Sequence, residues 1–419
     1  MRFQENPNTN ADLIDLGGLQ VHCFDISVGR PAPNATVRVL EAGSENVIAE
    51  LATNASGLTE AINLPAPPFE YSMMPDLPQP FSTYDVSVSQ EGAAPVLIRG
   101  VQIFPGATAL QNIQLLPEQT SELMTITIPD PVLWGDFPPK IPEDMVKELP
   151  PATGLVVLPQ PVVPEFVIVH AGVPNDASAP NYYVPFKDYI KNVASSEIYS
   201  NWPENTLRAN IHAIISVTLN RVFTEWYRNM GFNFTITNST AYDQSFTFGR
   251  NIFQEISLLV DEIFTSYITK PDIQQPLFAQ YCDGVELNCP GWLSQWGSRD
   301  LGAQGLSTIE ILRFYYGFNT FLRQAERVEG IPRSFPGENF GLGATGSYVR
   351  TIQEQLNAIS NNYPAIPKLK VDGIFGPATE NSVKKFQEVF SLPATGIVDF
   401  PTWYSISRIF VAVEGLAEL

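Results

Sequence analysis

The first pattern along the chain is an alternation of apolar and polar residues between positions 18 and 116. It is clearest at residues 19–24, 35–40, 84–88 and 96–103, and glycine, proline or asparagine turns separate these runs. Successive side chains point to opposite faces of a strand, so the alternation predicts half-buried strands. Short strands at this spacing are typical of antiparallel sandwiches. The sequence therefore predicts an N-terminal all-β sandwich over residues 1–120.

The pattern stops at a proline-rich stretch, residues 121–165, which contains ten prolines. Proline removes backbone donors and stiffens the chain, so we expect an extended connector that contributes nothing to a core. Exposed connectors are preferred sites of proteolysis. The sequence predicts a linker here that is open to proteolytic cleavage.

A helical period follows over residues 166–335. The clearest helix is predicted at 203–228, where apolar residues recur every three or four positions and form one stripe. Two more helices are predicted at 251–267 and 307–316. Residues 278–297 are rich in glycine and aromatic residues and are predicted to form strand and loop. This middle region is predicted to be an α+β domain.

Glycines at 341–346 break the chain once more, and a compact helical unit follows over residues 344–415. Val349, Ile352 and Leu356 share one face of a helix, and Val383 and Phe386 share a face of another. The sequence predicts a C-terminal three-helix domain, which makes the protein multidomain.

The composition argues against several kinds of partner and cofactor. The chain has 24 Lys and Arg against 44 Asp and Glu, a net charge of −20. Such a surface repels phosphate and anionic lipid, so we expect no nucleic acid and no membrane as partners. We see no apolar run long enough to span a membrane and no N-terminal signal sequence. Metalloprotease, phosphate-loop and dinucleotide motifs are missing too, so no cofactor is expected.

The three cysteines are too few for a disulfide scaffold. Cys23 stands alone and is expected to be a small buried apolar residue. Cys282 and Cys289 lie seven positions apart in a loop-like stretch, where they could form a local disulfide or half of a metal site. No histidine lies near them, which weakens the metal interpretation.

The C-terminal unit resembles the peptidoglycan-binding module of many wall hydrolases. The resemblance runs from Val349 through Val371-Asp-Gly-Ile-Phe-Gly-Pro-Ala-Thr to Thr402-Trp. Because several spaced motifs occur in the family's order, it implies that this domain binds peptidoglycan. Residues 30–59 resemble the transthyretin-like sandwich family, which implies no particular chemistry here.

The middle domain resembles the stage II sporulation protein D family of lytic transglycosylases. The resemblance rests on residues 291–316, with a Ser-Gln-x-Gly loop, a Gly-Leu-Ser turn and an Ile-Leu-x-x-Tyr-Tyr helix, and on Trp202-Pro-Glu-Asn-Thr-Leu. The family's catalytic glutamate falls in register with Asn205, and Glu204 is the nearest carboxylate. The family's zinc-binding Cys/His pair is replaced by residues 237–242, so no metal is predicted.

Glu204 is therefore predicted to be the catalytic residue, with Glu197 and Glu225 as the carboxylates to test if it is not. A lytic transglycosylase uses one carboxyl group first as acid and then as base, which requires an apolar pocket that keeps the group protonated. Four tryptophans could line such a pocket: Trp202, Trp226, Trp292 and Trp296. The alternative is structural, because Asn201 and Glu204 have the spacing of a helix capping box.

Further residues are predicted to bind substrate. Asp283, Ser294 and Gln295 could hydrogen-bond sugar hydroxyl or acetamido groups, or else bond the local backbone as turn residues do. Tyr281 and Trp296 could stack on a sugar or belong to the core.

Taken together, the order of domains resembles the clostridial-type spore cortex-lytic enzymes along nearly the whole chain. The resemblance implies a precursor that is made in the mother cell and stored in the spore near cortex and coat. It further implies activation by a subtilisin-like protease and cortex peptidoglycan as the substrate. Two rival functions remain open: a non-catalytic wall-binding activator of a separate amidase, and an amidase in this chain.

Overall fold

We describe a computed structural model of the chain for residues 15–25, 30–116, 123–148, 160–287, 289–330 and 335–414. The predicted cleavage region, 121–165, is described in part, and its residues 121–122 and 149–159 lie outside the described residues.

The N-terminal region is rich in sheet, as its alternating pattern predicts. Its strands are β1 (Asp15–Asp25), β2 (Arg30–Pro31), β3 (Thr36–Glu41), β4 (Val47–Ala52), β5 (Ile62–Ala66), β6 (Ser82–Ser89), β7 (Val96–Ile103) and β8 (Thr108–Leu115). A short 3-10 helix, Phe69–Met73, lies between β5 and β6. One sheet contains β1, β2, β5 and β8, and the other contains β4, β3, β6 and β7 in that order.

The sheets are mixed, and not purely antiparallel as expected. The central strand β1 pairs in parallel with β8, from Gly18 opposite Thr108 to Asp25 opposite Leu115. Its inward side chains, Leu19, Val21 and Cys23, are completely buried. Cys23 is a free buried cysteine, as the sequence predicted. We refer to this region, together with strand β9 below, as the β-domain.

The proline-rich connector differs from the expectation that it takes no part in a core. Residues Met124–Thr127 form strand β9, which pairs in parallel with β7 at the edge of the β-domain. Ile128 and Leu133 are buried beyond it. The next residues, 129–148, form a turn at 131–135 and then run without regular secondary structure across the middle domain. Proline prevents regular hydrogen bonding within the segment but leaves it free to pack on a neighbour.

The middle domain packs six helices of the described chain among short strands. Its helices are α1 (Phe186–Glu197), α2 (Glu204–Phe223), α3 (Trp226–Asn229), α4 (Gln254–Ile263), α5 (Gln295–Ala303) and α6 (Thr308–Tyr316). Its strands are β10 (Val162–Val163), β11 (Phe166–His170), β12 (Asn181–Pro185), β13 (Ile236–Thr237), β14 (Ile252–Phe253), β15 (Ser266–Thr269), β16 (Tyr281–Cys282), β17 (Leu293–Ser294), β18 (Phe321–Gln324) and β19 (Arg327–Val328).

Helix α2 runs through the centre of the domain. The sequence predicted one apolar stripe, but polar side chains on its other faces, including Asn210, Thr218 and Arg221, are buried as well. The helix is surrounded by α1, α4, α5 and α6. It ends before the predicted residue 228, because Glu225 adopts a left-handed backbone conformation, with φ of 48°. The second predicted helix is also shorter, since strands β14 and β15 take up its two ends.

Strand β14 joins the middle domain to the β-domain. Ile252 and Phe253 pair antiparallel with β8, so the middle domain adds a strand to the N-terminal sheet. Beside it, Arg250 donates a hydrogen bond to the Gln102 side chain at 2.7 Å, and both residues are buried. The two regions therefore share both a sheet and a buried interface.

The C-terminal domain has the three predicted helices, α7 (Ser347–Asn362), α8 (Pro377–Val389) and α9 (Phe400–Glu414). Two similar turns separate them, and a buried glutamine holds each turn. Gln353 donates to Ile374 O and accepts from Gly373 N at 2.8 Å. Gln387 likewise donates to Ile397 O and accepts from Gly396 N at 2.8 Å.

The C-terminal domain contacts the middle domain through α9. Phe264, next to α4, packs against Phe400 and Tyr404 with ring centroids 5.6 and 5.3 Å apart. Arg408 forms an ion pair with Asp188 of α1 at 3.2 Å. Across the described part of the chain, the helices are too short or too polar to cross a membrane.

Candidate functional site

A pocket of about 270 Å³ lies where the connector crosses the end of helix α1. The middle domain lines it with Glu197, Tyr281, Asp283 and Gln295, among other residues. The connector contributes further lining residues between Val132 and Lys140. Three of the five residues predicted to bind substrate thus come together around a carboxyl group.

Glu197 is the last residue of α1, and its side chain is 1% exposed. Oε1 accepts a hydrogen bond from Ser245 N at 2.7 Å. Among the described residues, the other oxygen, Oε2, is buried without a hydrogen-bond partner. Glu197 lines the pocket, and the Tyr281 hydroxyl lies close to its carboxyl group.

The surroundings of Glu197 favour its protonated form. Burial raises its pKa, and the positive charge of Lys140, the Ser245 N–H and the nearby Tyr281 hydroxyl oppose that effect in decreasing order. The position at the C-terminal end of a helix acts in the same direction as burial, since the dipole there disfavours a negative charge. A carboxyl group of this kind can donate a proton near neutral pH.

A buried network of polar side chains fixes Tyr281 beside Glu197. The Tyr281 hydroxyl accepts a hydrogen bond from Gln244 Nε2 at 3.2 Å. Gln244 Oε1 in turn accepts from Tyr189 at 3.1 Å and from Thr218 at 2.9 Å. Because Gln244 donates to the phenol oxygen, the Tyr281 proton can point towards the carboxyl group of Glu197, its hydrogen-bonding neighbour.

Gln295 and Asp283 border the pocket in different ways. Gln295 is buried and donates to Glu197 O at 3.2 Å, while its Oε1 has no hydrogen-bond partner among the residues described. Asp283 accepts from the backbone N–H groups of Gly284, Glu286 and Leu287. Its carboxylate therefore stabilises the loop that forms part of the pocket lining. This agrees with the alternative in which Asp283 bonds the local backbone as a turn residue.

Ser294 and Trp296 have mainly structural surroundings. Ser294 Oγ accepts from Gly297 N at 2.9 Å and caps helix α5. Trp296 is buried against Trp202, with centroids 5.0 Å apart, and against Tyr199. The structure thus places Ser294 at a helix start and Trp296 in an aromatic cluster, and neither is among the residues that line the pocket.

Glu204 lies in different surroundings from those its predicted role requires. Its side chain is 67% exposed and forms an ion pair with Arg208 at 2.7 Å. Arg208 also pairs with Glu262 of α4. Glu204 therefore lies on the exposed surface of α2 in an ion-pair cluster, outside the apolar pocket that its predicted role requires.

The structure contradicts the capping box, which was the structural alternative for Glu204. Helix α2 begins at Glu204, after Pro203, and Asn201 does not cap it. The Asn201 amide instead donates to Ser72 Oγ of the β-domain at 2.8 Å. Asn205, in register with the family's catalytic glutamate, donates to Gly302 O and Leu306 O and so holds the end of α5 against α2.

None of the four tryptophans expected to line a catalytic pocket is among the residues that line the pocket around Glu197. Trp202 donates to Ser72 O at 2.8 Å in the interface with the β-domain. Cys282 and Cys289 form a disulfide, which resolves the two alternatives left by the sequence. This bond closes the loop that carries Asp283. Within the described ranges, no cluster of three or more His, Cys, Asp or Glu side chains could hold a metal ion.

The sequence pointed to Glu197 only as a substitute for Glu204. Its local signal is weak, since the helix Phe186–Glu197 carries no motif for a catalytic acid. Its partners Ser245 and Tyr281 are 48 and 84 positions away in the chain. Because these residues are far apart in the sequence, no local pattern could indicate the site.

Comparison with known protein families identifies the C-terminal domain. Residues 345–406 match the family described as "Putative peptidoglycan binding domain". The chain thus carries a peptidoglycan-binding domain at its C-terminal end, as the motifs from Val349 to Trp403 predicted. The matched residues begin just before α7 and end within α9.

Solved structures resemble only parts of the chain. The SleB N-terminal domain is 30% identical, covering 18% of this chain and 99% of that one, with a TM-score of 0.16. The 5-hydroxyisourate hydrolase of Klebsiella pneumoniae is 21% identical, covering 24% and 90%, with a TM-score of 0.17. The minor pilin GBS52 of Streptococcus agalactiae is 14% identical, covering 26% and 48%, with a TM-score of 0.17. No protein with a curated description matches the chain.

Proposed function

We propose that the protein cleaves the glycan strands of peptidoglycan as a lytic transglycosylase, with Glu197 as its acid and base. The observation that carries this proposal is the buried carboxyl group of Glu197, with one free oxygen, in a pocket of a chain that also binds peptidoglycan. In this proposal the C-terminal domain binds the polymer, and the middle domain catalyses its cleavage.

In the proposed reaction, the protonated Glu197 gives its proton to the glycosidic oxygen as the bond to the muramic acid C1 breaks. The resulting carboxylate then removes the proton of the 6-hydroxyl of the same sugar. The 6-oxygen bonds to C1 and closes a 1,6-anhydro ring, so no water is consumed. One carboxyl group suffices, unlike the pair that ordinary glycosidases need.

The residues around Glu197 have matching roles. Tyr281 can donate to the carboxylate after the first proton transfer, which lowers the cost of the buried charge. The free Oε1 of Gln295 can accept from a sugar hydroxyl or acetamido N–H. The Asp283 loop, closed by the Cys282–Cys289 disulfide, forms a fixed wall.

The test compares two acids on neighbouring helices. Glu197→Gln and Glu204→Gln each remove one ionisable group, and the full chain, treated with a subtilisin-like protease, is incubated with purified peptidoglycan. We expect Glu197→Gln to lower the release of anhydro-muramic products at least a hundredfold, since loss of a general acid costs about that much or more. Glu204→Gln should retain wild-type activity.

Mass spectrometry of the soluble products separates the possible reactions. Anhydro-muramic ends mean transglycosylase, free peptides mean amidase, and no release means a binding protein. Full activity in folded Glu197→Gln would contradict the assignment, and activity lost only in Glu204→Gln would restore the original prediction. Circular dichroism of both variants controls for folding.

By the resemblance to spore cortex-lytic enzymes, we further propose that the substrate is cortex peptidoglycan degraded at germination. The protein would be made in the mother cell, stored near the cortex and coat, and activated by a subtilisin-like protease. An assay on cortex and on vegetative wall, each with intact and protease-treated protein, tests this setting.

A further inference from the structure

The connector segment, residues 129–148, is held on the middle domain like a bound peptide. Two glutamine side chains bind its backbone. Gln280 donates to Ile141 O at 2.8 Å and accepts from Glu143 N at 2.9 Å. Gln275 donates to Lys147 O at 2.9 Å and accepts from Lys147 N at 3.0 Å.

Main-chain groups of the middle domain add to these contacts. Ile141 N donates to Ala241 O at 2.7 Å, and Phe278 N donates to Met145 O at 2.8 Å. The contacted connector residues are 141, 143, 145 and 147, which is every second residue. This period of two is how proteins bind an extended peptide through its main chain.

The same surface provides a seat for a carboxylate. Arg221 of α2 has a completely buried side chain and binds both oxygens of Glu143, at 2.6 and 3.0 Å. Asp243 holds the other side of the guanidinium at 2.7 Å, so its plane is fixed. Paired hydrogen bonds between guanidinium and carboxylate are strong and geometrically selective. Lys147 adds a third contact to Glu143, at 2.7 Å.

The peptide contacts continue to the pocket. Lys140 donates to Asp243 O at 2.5 Å, and its amine lies 4.8 Å from the centre of the Tyr281 ring. Residues Phe137, Pro138 and Pro139 line the pocket together with Lys140. The connector that occupies the peptide site therefore also lines the pocket that contains Glu197.

We propose that Gln275, Gln280 and Arg221 form a binding site for an extended acidic peptide, whose resident ligand is the connector segment. Occupancy of this site keeps substrate from Glu197, so cleavage of the connector acts by allowing this ligand to leave. The peptide site stands on its own contacts, whereas its blocking role rests on the function proposed for Glu197.

The test uses two substitutions in the connector of the full chain, Lys140→Ala and Glu143→Gln, combined to open the site without altering the middle domain. The probe is a fluorescently labelled synthetic peptide of residues 136–148. We expect this peptide to bind the opened chain at least tenfold more tightly than the wild type, where the connector competes. A peptide with Glu143→Gln should bind the opened chain about tenfold more weakly, as expected for lost charged hydrogen bonds.

Two further chains make the result decisive. Ile141→Pro opens the site in another way, because it removes the N–H that binds Ala241 O and restricts the backbone at residues 140 and 141. Asp144→Asn changes an exposed residue of the same segment and should behave like the wild type. Equal peptide affinity for wild-type and opened chains, or no binding to either opened chain, would overturn the proposal.

Activity on peptidoglycan separates the blocking role from the reaction. The opened chain should release product without proteolysis, and the added peptide should suppress that release. If protease-cut wild type is active but the opened chain binds peptide and stays inactive, the blocking role is wrong. If neither the protease-cut wild type nor the opened chain releases product, the proposed function fails. The peptide-binding measurement then still decides whether the peptide site exists.

Discussion

Removal of the Arg221 guanidinium tests how far one buried ion pair supports the middle domain. In Arg221→Met a side chain of similar length remains, but Asp243 loses its cation. Both side chains are completely buried, so the remaining charge has no access to solvent. Breaking such a pair from one side costs about 3–5 kcal/mol of unfolding free energy.

Other hydrogen bonds to Asp243 reduce the expected loss of unfolding free energy to the lower end of this range. Its Oδ2 still accepts from Tyr227 at 2.6 Å and from Thr237 N and Oγ1 at 3.0 and 2.7 Å. These donors stabilise the carboxylate but bring no full positive charge. We therefore expect a loss of about 3 kcal/mol, together with release of the connector, since Glu143 loses its bidentate partner too.

The control lies on the same helix. Arg208→Met removes an arginine whose partners, Glu204 and Glu262, are exposed, and such pairs contribute at most about 1 kcal/mol. Urea unfolding followed by circular dichroism at pH 7 measures both variants, from the midpoint shift and the slope of the transition that includes α2. If Arg221→Met costs no more than Arg208→Met, the hydrogen bonds to Asp243, and not the charge pair, stabilise this region.

Three further predictions concern other parts of the chain. Gln353→Ala should destabilise the C-terminal domain by about 2 kcal/mol, since it leaves turn N–H groups unpaired, and weaken co-sedimentation with insoluble peptidoglycan; exposed Glu354→Ala should do neither. Burial lowers the pKa of His212 to about 4, so the unfolded chain takes up a proton first as pH falls below 6.5. The unfolding free energy should then drop by up to about 3 kcal/mol by pH 4, and His212→Gln should flatten this fall in thermal melts; an unchanged slope would contradict the assignment. Reduction of the Cys282–Cys289 disulfide should cost about 2 kcal/mol, measured by thermal melts with and without reductant, and the double serine variant should be insensitive to reductant.

Local patterns in the sequence predicted local structure well. The helix at 307–316 was correct because Ser307 and Glu310 form a capping box. The same spacing at Asn201 and Glu204 misled, since the Asn201 amide binds Ser72, 129 positions away, and the helix starts elsewhere. The same spacing of a capping residue and a glutamate thus gave different outcomes. Only the Asn201 side chain has a competing hydrogen-bond partner, Ser72, elsewhere in the fold.

The candidate site depended on contacts that no local pattern shows. Tyr281, Asp283 and Gln295 were predicted from a run of loop residues, and they do line a pocket. The acid beside them could not be chosen, because burial decides which carboxyl group stays protonated, and burial of Glu197 comes from distant segments. Proline content predicted that the connector is extended, but not that glutamine side chains bind it.

Strand β14 pairs with β8 across the boundary that activation would separate. The β-domain is synthesised first, so its sheet edge is ready as a template when Ile252 and Phe253 emerge from the ribosome. After a cut and release of the N-terminal part, those strand groups and the Arg250 side chain lose their partners. We expect the mature fragment to persist because it unfolds slowly, and not because it would refold unaided. The β-domain would then have served as a folding template for the middle domain.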